Sequence, residues 1–297
     1  MLRGSLVAIV TPMTADGSID WPAWDRLLDF HVSEGTEGIV IAGTTGEAPA
    51  LALEEVEELT RRALLRCSGK LKLIVGAGTH ATSSTVARTR ALSRLGPDAV
   101  MLVTPYYNKP PQEGLFRHFM AAADVSAVPI VVYNVPSRTS VDLLPATVSR
   151  LAHHPRIVAI KDASAALSRV RELLSACPAG FAVLSGDDAT ALEWIGAGAH
   201  GVISVSANVA PRRMHEACMA ALGGDVAAAR AIDGELQPLH KDLFVEANPI
   251  AVKWAVARMG LIGNAIRLPL VELSPAHHEL VLRAMRAAGV RLEDRAA

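Results

Sequence analysis

The sequence has few aromatic residues and almost no net charge. Phe, Trp and Tyr make up 4% of the 297 residues, and three of them are tyrosines. The 29 basic and 30 acidic side chains nearly cancel and leave a net charge of −1 at pH 7. This balance gives no electrostatic basis for binding nucleic acid or an anionic membrane surface. We therefore expect small-molecule partners, with no nucleic acid and no membrane.

Cysteine and long apolar runs are also scarce. Cys67, Cys177 and Cys218 form no Cys-x-x-Cys pair, and we interpret them as reduced thiols. The N-terminal apolar run stops at Thr11 and Pro12, which is too short for a signal peptide. No apolar stretch approaches the roughly 18 residues that a membrane span needs. The sequence thus predicts a cytoplasmic protein.

Eight short apolar runs are present, with helical patterns between them. Continuous apolar runs, as opposed to alternating ones, are typical of parallel strands covered on both faces. The runs are SLVAIVT (5–11), GIVIAG (38–43), LKLIVGAG (71–78), DAVMLVT (98–104), PIVVYNVP (129–136), IVAIK (157–161), FAVLSG (181–186) and HGVISVS (200–206).

Eight strand–helix units predict an α/β fold, a (β/α)8 TIM barrel. A doubly wound open sheet is the alternative, but no Gly-x-Gly-x-x-Gly follows the first strand. We assign residues 1–225 to the barrel and residues 226–297, which show only helical patterns, to a C-terminal helical extension. Asn248 and Pro249 are expected to shape this extension near the barrel mouth.

Reactive side chains follow several of the predicted strands. Barrel enzymes carry their chemistry at these carboxyl ends. All three tyrosines lie at this rim, in a chain that has no others. The candidates are Thr44 and Thr45 after the second strand, Tyr106 and Tyr107 after the fourth, Tyr133 and Arg138 after the fifth, and Lys161 after the sixth.

Lys161 ends a run that otherwise reads as buried, and lysine is rarely buried without a partner. A salt bridge with Asp162, or a strand that has already reached the surface, would be the ordinary explanation. The third explanation is a nucleophilic amine. Burial lowers the pKa of a lysine, and a neutral amine attacks a ketone to form an iminium, which acidifies the neighbouring C–H.

Alternation along two strands favours the nucleophile. Ala159 and Lys161 share one face of their strand, and Val158 and Ile160 share the other. By the same alternation Tyr133 shares a face with Val131. If the branched side chains face the helices, Lys161 and Tyr133 point into the barrel mouth, where a hydroxyl can relay protons.

Two neighbouring acids, Asp187 and Asp188, open a predicted helix after the seventh strand. We interpret them as helix-capping groups and not as metal ligands. We expect neither a metal ion nor a cofactor.

The segments GTTGE, VTPYYNKP, YNVPSRT and IKDAS, in this order and spacing, resemble the dihydrodipicolinate synthase family. This family belongs to the pyruvate-dependent class I aldolase-like lyases, which include N-acetylneuraminate lyase. The resemblance covers nearly the whole chain. It implies a TIM barrel that condenses pyruvate with L-aspartate 4-semialdehyde through a lysine Schiff base, in diaminopimelate and lysine biosynthesis.

The resemblance also implies roles for individual residues. Lys161 would form the Schiff base, and Tyr133, Thr44 and Tyr107 would relay protons, with Tyr107 reaching a neighbouring subunit. Substrate would be bound by Thr45 and Arg138 and by the backbone of Gly186 and Ile203. Family members are commonly homotetramers, built as dimers of dimers.

Two questions stay open at this point. A related pyruvate aldolase that acts on a sugar-acid-derived aldehyde would use the same lysine and tyrosine, although Arg138 favours a second carboxylate. Some family members bind lysine as a feedback inhibitor through polar side chains. The matching positions here include Leu53, Val56 and Ser84, so we expect weak or absent inhibition by lysine.

Overall fold

A computed structural model describes residues 2–292 of the chain. Within this range eight parallel strands close into a barrel in chain order, with the last strand paired to the first. This confirms the predicted (β/α)8 barrel. The strands are β1 (Gly4–Ala8), β2 (Gly38–Ile41), β3 (Lys72–Gly76), β4 (Ala99–Val103), β5 (Ile130–Asn134), β6 (Ile157–Asp162), β7 (Ala182–Ser185) and β8 (Gly201–Ser204).

Helices connect the strands and continue beyond the barrel. Those that follow β1 to β4 are α1 (Trp21–Ser33), α2 (Leu53–Cys67), α3 (Thr82–Ser93) and α4 (Gln112–Ala123). Those that follow β5 to β8 are α5 (Pro136–Thr139), α6 (Pro145–Leu151), α7 (Leu167–Ala176), α8 (Ala191–Gly196) and α9 (Pro211–Leu222). The C-terminal helices are α10 (Val226–Asp242), α11 (Ile250–Arg258) and α12 (His278–Ala287).

The strands separate two apolar layers. Val131, Tyr133 and Ala159 belong to the cluster inside the barrel, whereas Val132 and Ile160 pack between the strands and the helices. The predicted alternation around Lys161 is therefore confirmed for these residues, because each strand is covered on both faces.

Val158 is the exception to the predicted alternation. The register between β5 and β6 shifts there, so that Ile130 pairs with Ile157 but Val131 pairs with Ala159. Val158 is the extra residue, and it packs against the interior cluster, not with Ile160. A bulge of this kind changes the phase of the alternation, so that Val158 and Ala159 both face the interior while Ile157 and Ile160 both face the helices.

The C-terminal helices share the barrel's own core. Helix α10 packs against α8 and α9, and α12 packs against α10. Leu236, Val252 and Val281 join the same apolar cluster as the outer faces of the strands. The division at residue 225 stays a prediction, and residues 293–297 lie outside the described part of the chain.

The structure also describes the cysteines, the length of the helices and the grouping of metal-ligand side chains. Cys67, Cys177 and Cys218 are free thiols. Between residues 2 and 292, no helix combines the length and the apolar character that crossing a membrane requires. That range also contains no group of three or more His, Cys, Asp or Glu side chains arranged to hold a metal ion.

Candidate active site

Lys161 and Tyr133 meet at the carboxyl ends of two neighbouring strands. They are direct register partners on β6 and β5. Lys161 Nζ lies 4.4 Å from the centre of the Tyr133 ring, and the lysine is 4% exposed. The parallel pairing points both side chains into the barrel, as the sequence predicts.

The amine of Lys161 is buried, and it forms no ion pair with any of residues 2–292. The salt bridge with Asp162, which was the ordinary explanation for this lysine, is therefore absent. Strand β6 extends one residue further than predicted and includes Asp162. The Asp162 carboxylate instead accepts hydrogen bonds from the Asn134 side chain and from the backbone N–H of Ser164. Burial lowers the pKa of Lys161 to about 8, and the Arg138 guanidinium adds to this, while the Asp188 carboxylate opposes it.

Gly186 leaves the space that the Lys161 side chain occupies. A Cβ atom at position 186 would lie 2.8 Å from Ala163 Cβ and 3.0 Å from Lys161 Cε. Gly186 N–H donates to the Asp162 carbonyl, which holds this backbone beside β6. Ile203, on β8, lies in the interior cluster. Ile203 therefore lies in the barrel interior, and the Gly186 backbone lies close enough to Lys161 that an added Cβ would crowd its side chain.

Thr44, Tyr133 and Arg138 line a single cavity of about 390 Å³ at the barrel mouth. Burial raises the pKa of the Tyr133 phenol, whereas the Arg138 guanidinium and the Thr44 hydroxyl lower it and Asp162 raises it. The phenol is therefore protonated at neutral pH and lies beside a second hydroxyl, an arrangement that suits proton transfer.

Residues of the C-terminal extension bind the loop that follows β2. Lys253, on α11, forms a buried ion pair with Glu47, and Glu47 also accepts a hydrogen bond from the backbone N–H of Arg267 at 3.0 Å. The Asn248 side chain donates a hydrogen bond to Thr45 Oγ1 at 3.0 Å. Sequence analysis missed Lys253 and gave Asn248 only a shaping role.

Asn248 also contacts Arg138. The Arg138 guanidinium donates to the Asn248 backbone carbonyl at 3.2 Å. A single residue of the extension thus holds both predicted carboxylate-binding side chains. No local sequence pattern indicates this, since Asn248 lies 203 residues from Thr45 in the chain.

Tyr107 lies apart from this cavity. Its side chain is 92% exposed, and its backbone has a φ of 73°, in the left-handed region that non-glycine residues rarely adopt. Within one chain, then, Tyr133 and Thr44 line the same cavity and Tyr107 does not, and the relay itself stays a prediction.

The two acids after β7 have different roles, and only one fits the predicted cap. Asp187 accepts hydrogen bonds from the backbone and hydroxyl of Thr190, just before α8. The Asp188 carboxylate instead accepts hydrogen bonds from the backbone N–H groups of Val205 and Ser206, after β8. Its assignment as a cap of the helix that follows β7 is therefore wrong. Its buried carboxylate influences Lys161, a role that sequence analysis missed.

A closed barrel with a lysine buried at its carboxyl end, which forms no ion pair within residues 2–292, defines a (β/α)8-barrel enzyme with a candidate reactive-lysine site. The sequence profile of the dihydrodipicolinate synthetase family matches residues 1–288. The chain belongs to this family, whose members are lyases.

Relatives of known name and structure extend over the same length. A protein of Laribacter hongkongensis named 4-hydroxy-tetrahydrodipicolinate synthase is 54% identical over 290 residues, covering 98% of this chain and 100% of the relative. The Acinetobacter baumannii dihydrodipicolinate synthase, solved in complex with pyruvate, is 44% identical with a TM-score of 0.96, covering 98% of this chain and 100% of its own.

A monomeric dihydrodipicolinate synthase variant has the same fold. It is 39% identical, with a TM-score of 0.95 and coverage of 98% of each chain. The fold alone therefore does not determine the number of subunits.

Proposed function

We propose that this enzyme condenses pyruvate with L-aspartate 4-semialdehyde to give 4-hydroxy-tetrahydrodipicolinate, the first committed step of diaminopimelate and lysine biosynthesis. The single observation that carries the proposal is the buried Lys161 amine, with a pKa of about 8, over the Tyr133 ring. A lysine with this pKa is partly neutral near physiological pH and can act as a nucleophile.

The chemistry at Lys161 proceeds in four steps. The neutral amine attacks the ketone carbon of pyruvate, water leaves, and an iminium forms. Loss of a proton from the methyl group gives an enamine. The enamine carbon attacks the aldehyde carbon of the second substrate, which forms the new C–C bond and restores the iminium while the aldehyde oxygen takes up a proton. The amino group of the second substrate then attacks the iminium carbon, closes the ring and displaces the lysine amine.

Proton transfer in these steps is assigned to the hydroxyls of Tyr133 and Thr44. Both line the cavity, and neither adds charge to it. Thr45 binds the pyruvate carboxylate, aided by the backbone at Gly186 and Ile203. The pyruvate complex of the A. baumannii relative supports pyruvate as the first substrate.

The test of the Schiff base is reduction in the presence of pyruvate. Borohydride should fix one reduced pyruvate on Lys161, as peptide mapping by mass spectrometry would show. Lys253 is the matched internal control, because it is also buried but is paired with Glu47. Label on Lys253 alone, or no label, would refute the mechanism.

Arg138 favours aspartate semialdehyde over the alternative, a sugar-acid-derived aldehyde. Its guanidinium forms no ion pair in the described chain, so it can bind a substrate carboxylate in a bidentate manner. We expect kcat/KM for aspartate semialdehyde to exceed that for sugar-derived aldehydes. Arg138→Ala should remove most of this preference while leaving the reducible pyruvate adduct intact.

We propose that the enzyme is a homotetramer built as a dimer of dimers, in which Tyr107 enters the site of a neighbouring subunit. The exposure of its phenol and its strained backbone support this role. Mixing the Tyr107→Phe and Lys161→Ala variants after subunit exchange should restore activity that neither shows alone. No restoration in a verified hybrid would contradict the shared site.

We infer a cytoplasmic location. Its support is the three free cysteines, which are typical of a reducing compartment. Fractionation of the source cells with an antibody against the chain would test it.

A further inference from the structure

The cavity at the barrel mouth has a second wall that the proposed mechanism does not use. Thr44, Tyr133 and Arg138 line it on the catalytic side. The polar side chains of the second wall lie on α3 or on the loops after β3 and β4, and they are His80, Ser84, Arg88 and Tyr106. A ligand on this wall would share one cavity with the catalytic groups.

Arg88, on α3, is a cation without a counterion. Its side chain is half-buried and lines the cavity, and it forms no ion pair and donates no hydrogen bond within residues 2–292. Burial lowers the pKa of Arg88, whereas the Tyr106 phenol and the Glu54 carboxylate raise it. Partial removal of an unpaired charge from water is costly, and such groups in native proteins usually have a role that explains them.

The formal charges that line this cavity are all positive. In the part of the chain that the structure describes, Arg88 and Arg138 line it, and no aspartate or glutamate does. Arg138 donates only to the backbone carbonyl of Asn248. Two guanidinium groups without acids in one cavity favour an anion, and each can bind a carboxylate through two parallel N–H donors.

The groups beside Arg88 are held in place by contacts within the wall. The rings of His80 and Tyr106 meet edge to face, with 5.4 Å between their centres. The Asn108 side chain donates a hydrogen bond to the His80 backbone carbonyl at 2.9 Å. Ser84 precedes Arg88 by four residues on α3, so the two side chains lie on the same face of the helix.

We propose that Arg88, Ser84 and His80 form a second anion site, which binds a small organic acid other than the substrate bound at Arg138. The occupant fills part of the cavity that the second substrate enters, so the site is inhibitory. It does not depend on which aldehyde the second substrate carries.

The experiment is a calorimetric titration of the whole enzyme with succinate. Arg138→Met removes the catalytic-side guanidinium, so this variant should still bind one succinate per chain at the second site. Adding Arg88→Met should raise the Kd roughly 10-fold or more, in the range of lost hydrogen bonds to a charged group. The matched probe is 1,4-diaminobutane, which has the same four-carbon chain but two positive charges and should not bind.

Ser84→Glu tests the site without removing Arg88. Ser84 is exposed, and a glutamate four residues before an arginine on a helix can form an ion pair with it. This variant should therefore weaken succinate binding. Ser84→Gln is the neutral control of the same size and should bind succinate as the unaltered enzyme does.

Three results would overturn the proposal. The first is no binding of succinate to Arg138→Met, as expected if the anion binds only on the catalytic side or if a neighbouring subunit supplies an acid to Arg88. The second is equal weakening by Ser84→Glu and Ser84→Gln.

The third concerns the pyruvate site. Reduction with pyruvate and borohydride fills that site covalently, and succinate binding to Arg138→Met that disappears after this treatment would belong there and not at Arg88. Failure to form the adduct would refute the proposed function but would leave the titration of the untreated enzyme intact, so the two failures are distinguishable.

Discussion

Tyr133 and Lys161 are register partners on β5 and β6, and the lysine nitrogen lies 4.4 Å from the centre of the tyrosine ring. The hydrogen-bond ladder between the strands determines this distance, and the bulge at Val158 lies on the amino-terminal side of it. The relationship is therefore a property of the rigid barrel and not of a mobile loop. It places an amine and a phenol together before any substrate arrives.

The pH dependence of adduct formation should follow Lys161. Burial lowers the pKa of its amine to about 8, with Arg138 contributing. The neutral fraction, and with it the rate of pyruvate adduct formation, should rise as the pH rises through 8 and level off above it. Single-turnover trapping with borohydride at a series of pH values measures this. A rate independent of pH across that region would contradict the assignment.

Lys161→Met should stabilise the fold while abolishing the adduct. The folded-state pKa of about 8 lies below the ordinary value of 10.5, so at pH 7 the buried amine is protonated at a cost. The free energy of unfolding should rise by about 3–4 kcal/mol at most, from ~1.4 kcal/mol per unit of pKa shift. Above pH 8 the folded protein releases the proton and the wild type gains stability, so the difference should shrink. Urea unfolding of the wild type and the variant, at pH 7 and again at a pH above 8, tests this.

Asp188→Asn should shift the pH profile of adduct formation to lower pH. The Asp188 carboxylate raises the pKa of Lys161 against the effect of burial, so its removal lowers that pKa further. Asp187→Asn is the matched control, because Asp187 bonds Thr190 and should leave the profile in place. The same shift in both variants would exclude a specific role for Asp188.

Lys253→Met should destabilise the protein by about 3–5 kcal/mol, because it leaves the Glu47 carboxylate buried without its partner. The double variant Glu47→Gln and Lys253→Met removes both charges and should recover part of the loss. Denaturant unfolding of the single and double variants gives the coupling. An additive pair of effects would show that the ion pair contributes nothing specific.

Lysine should inhibit weakly or not at all. His80, Ser84 and Tyr106 line the mouth cavity, but Val56 is entirely buried in the core and Leu53 packs against it. A charged amino acid would meet few groups to bind it. Ser84→Glu, which adds a carboxylate to the lining, should increase the sensitivity. Half-maximal inhibition of the unaltered enzyme at sub-millimolar lysine would contradict this expectation.

Parts of the site could be predicted from sequence because they depend on local pattern. Eight apolar runs indicate parallel strands, and parallel strands bring their carboxyl ends to one edge. Alternation then placed Tyr133 and Lys161 inside. Val158 was misplaced because a bulge depends on how the neighbouring strand pairs, which alternation within one strand does not encode.

Residues that contact the site from a distance required the tertiary structure. Asp188 was read as a helix cap because it precedes a helix, yet its carboxylate binds the backbone after β8. Asn248 reaches Thr45 across 203 residues, and Lys253 reaches Glu47 across 206. The physical reason is that strand pattern and motif are local properties, whereas burial, charge neutralisation and long-range hydrogen bonds arise only when distant segments pack together. The sequence alone determined the barrel and the lysine at its carboxyl end, and the packing of the C-terminal segment decided which groups hold Thr45 and Arg138.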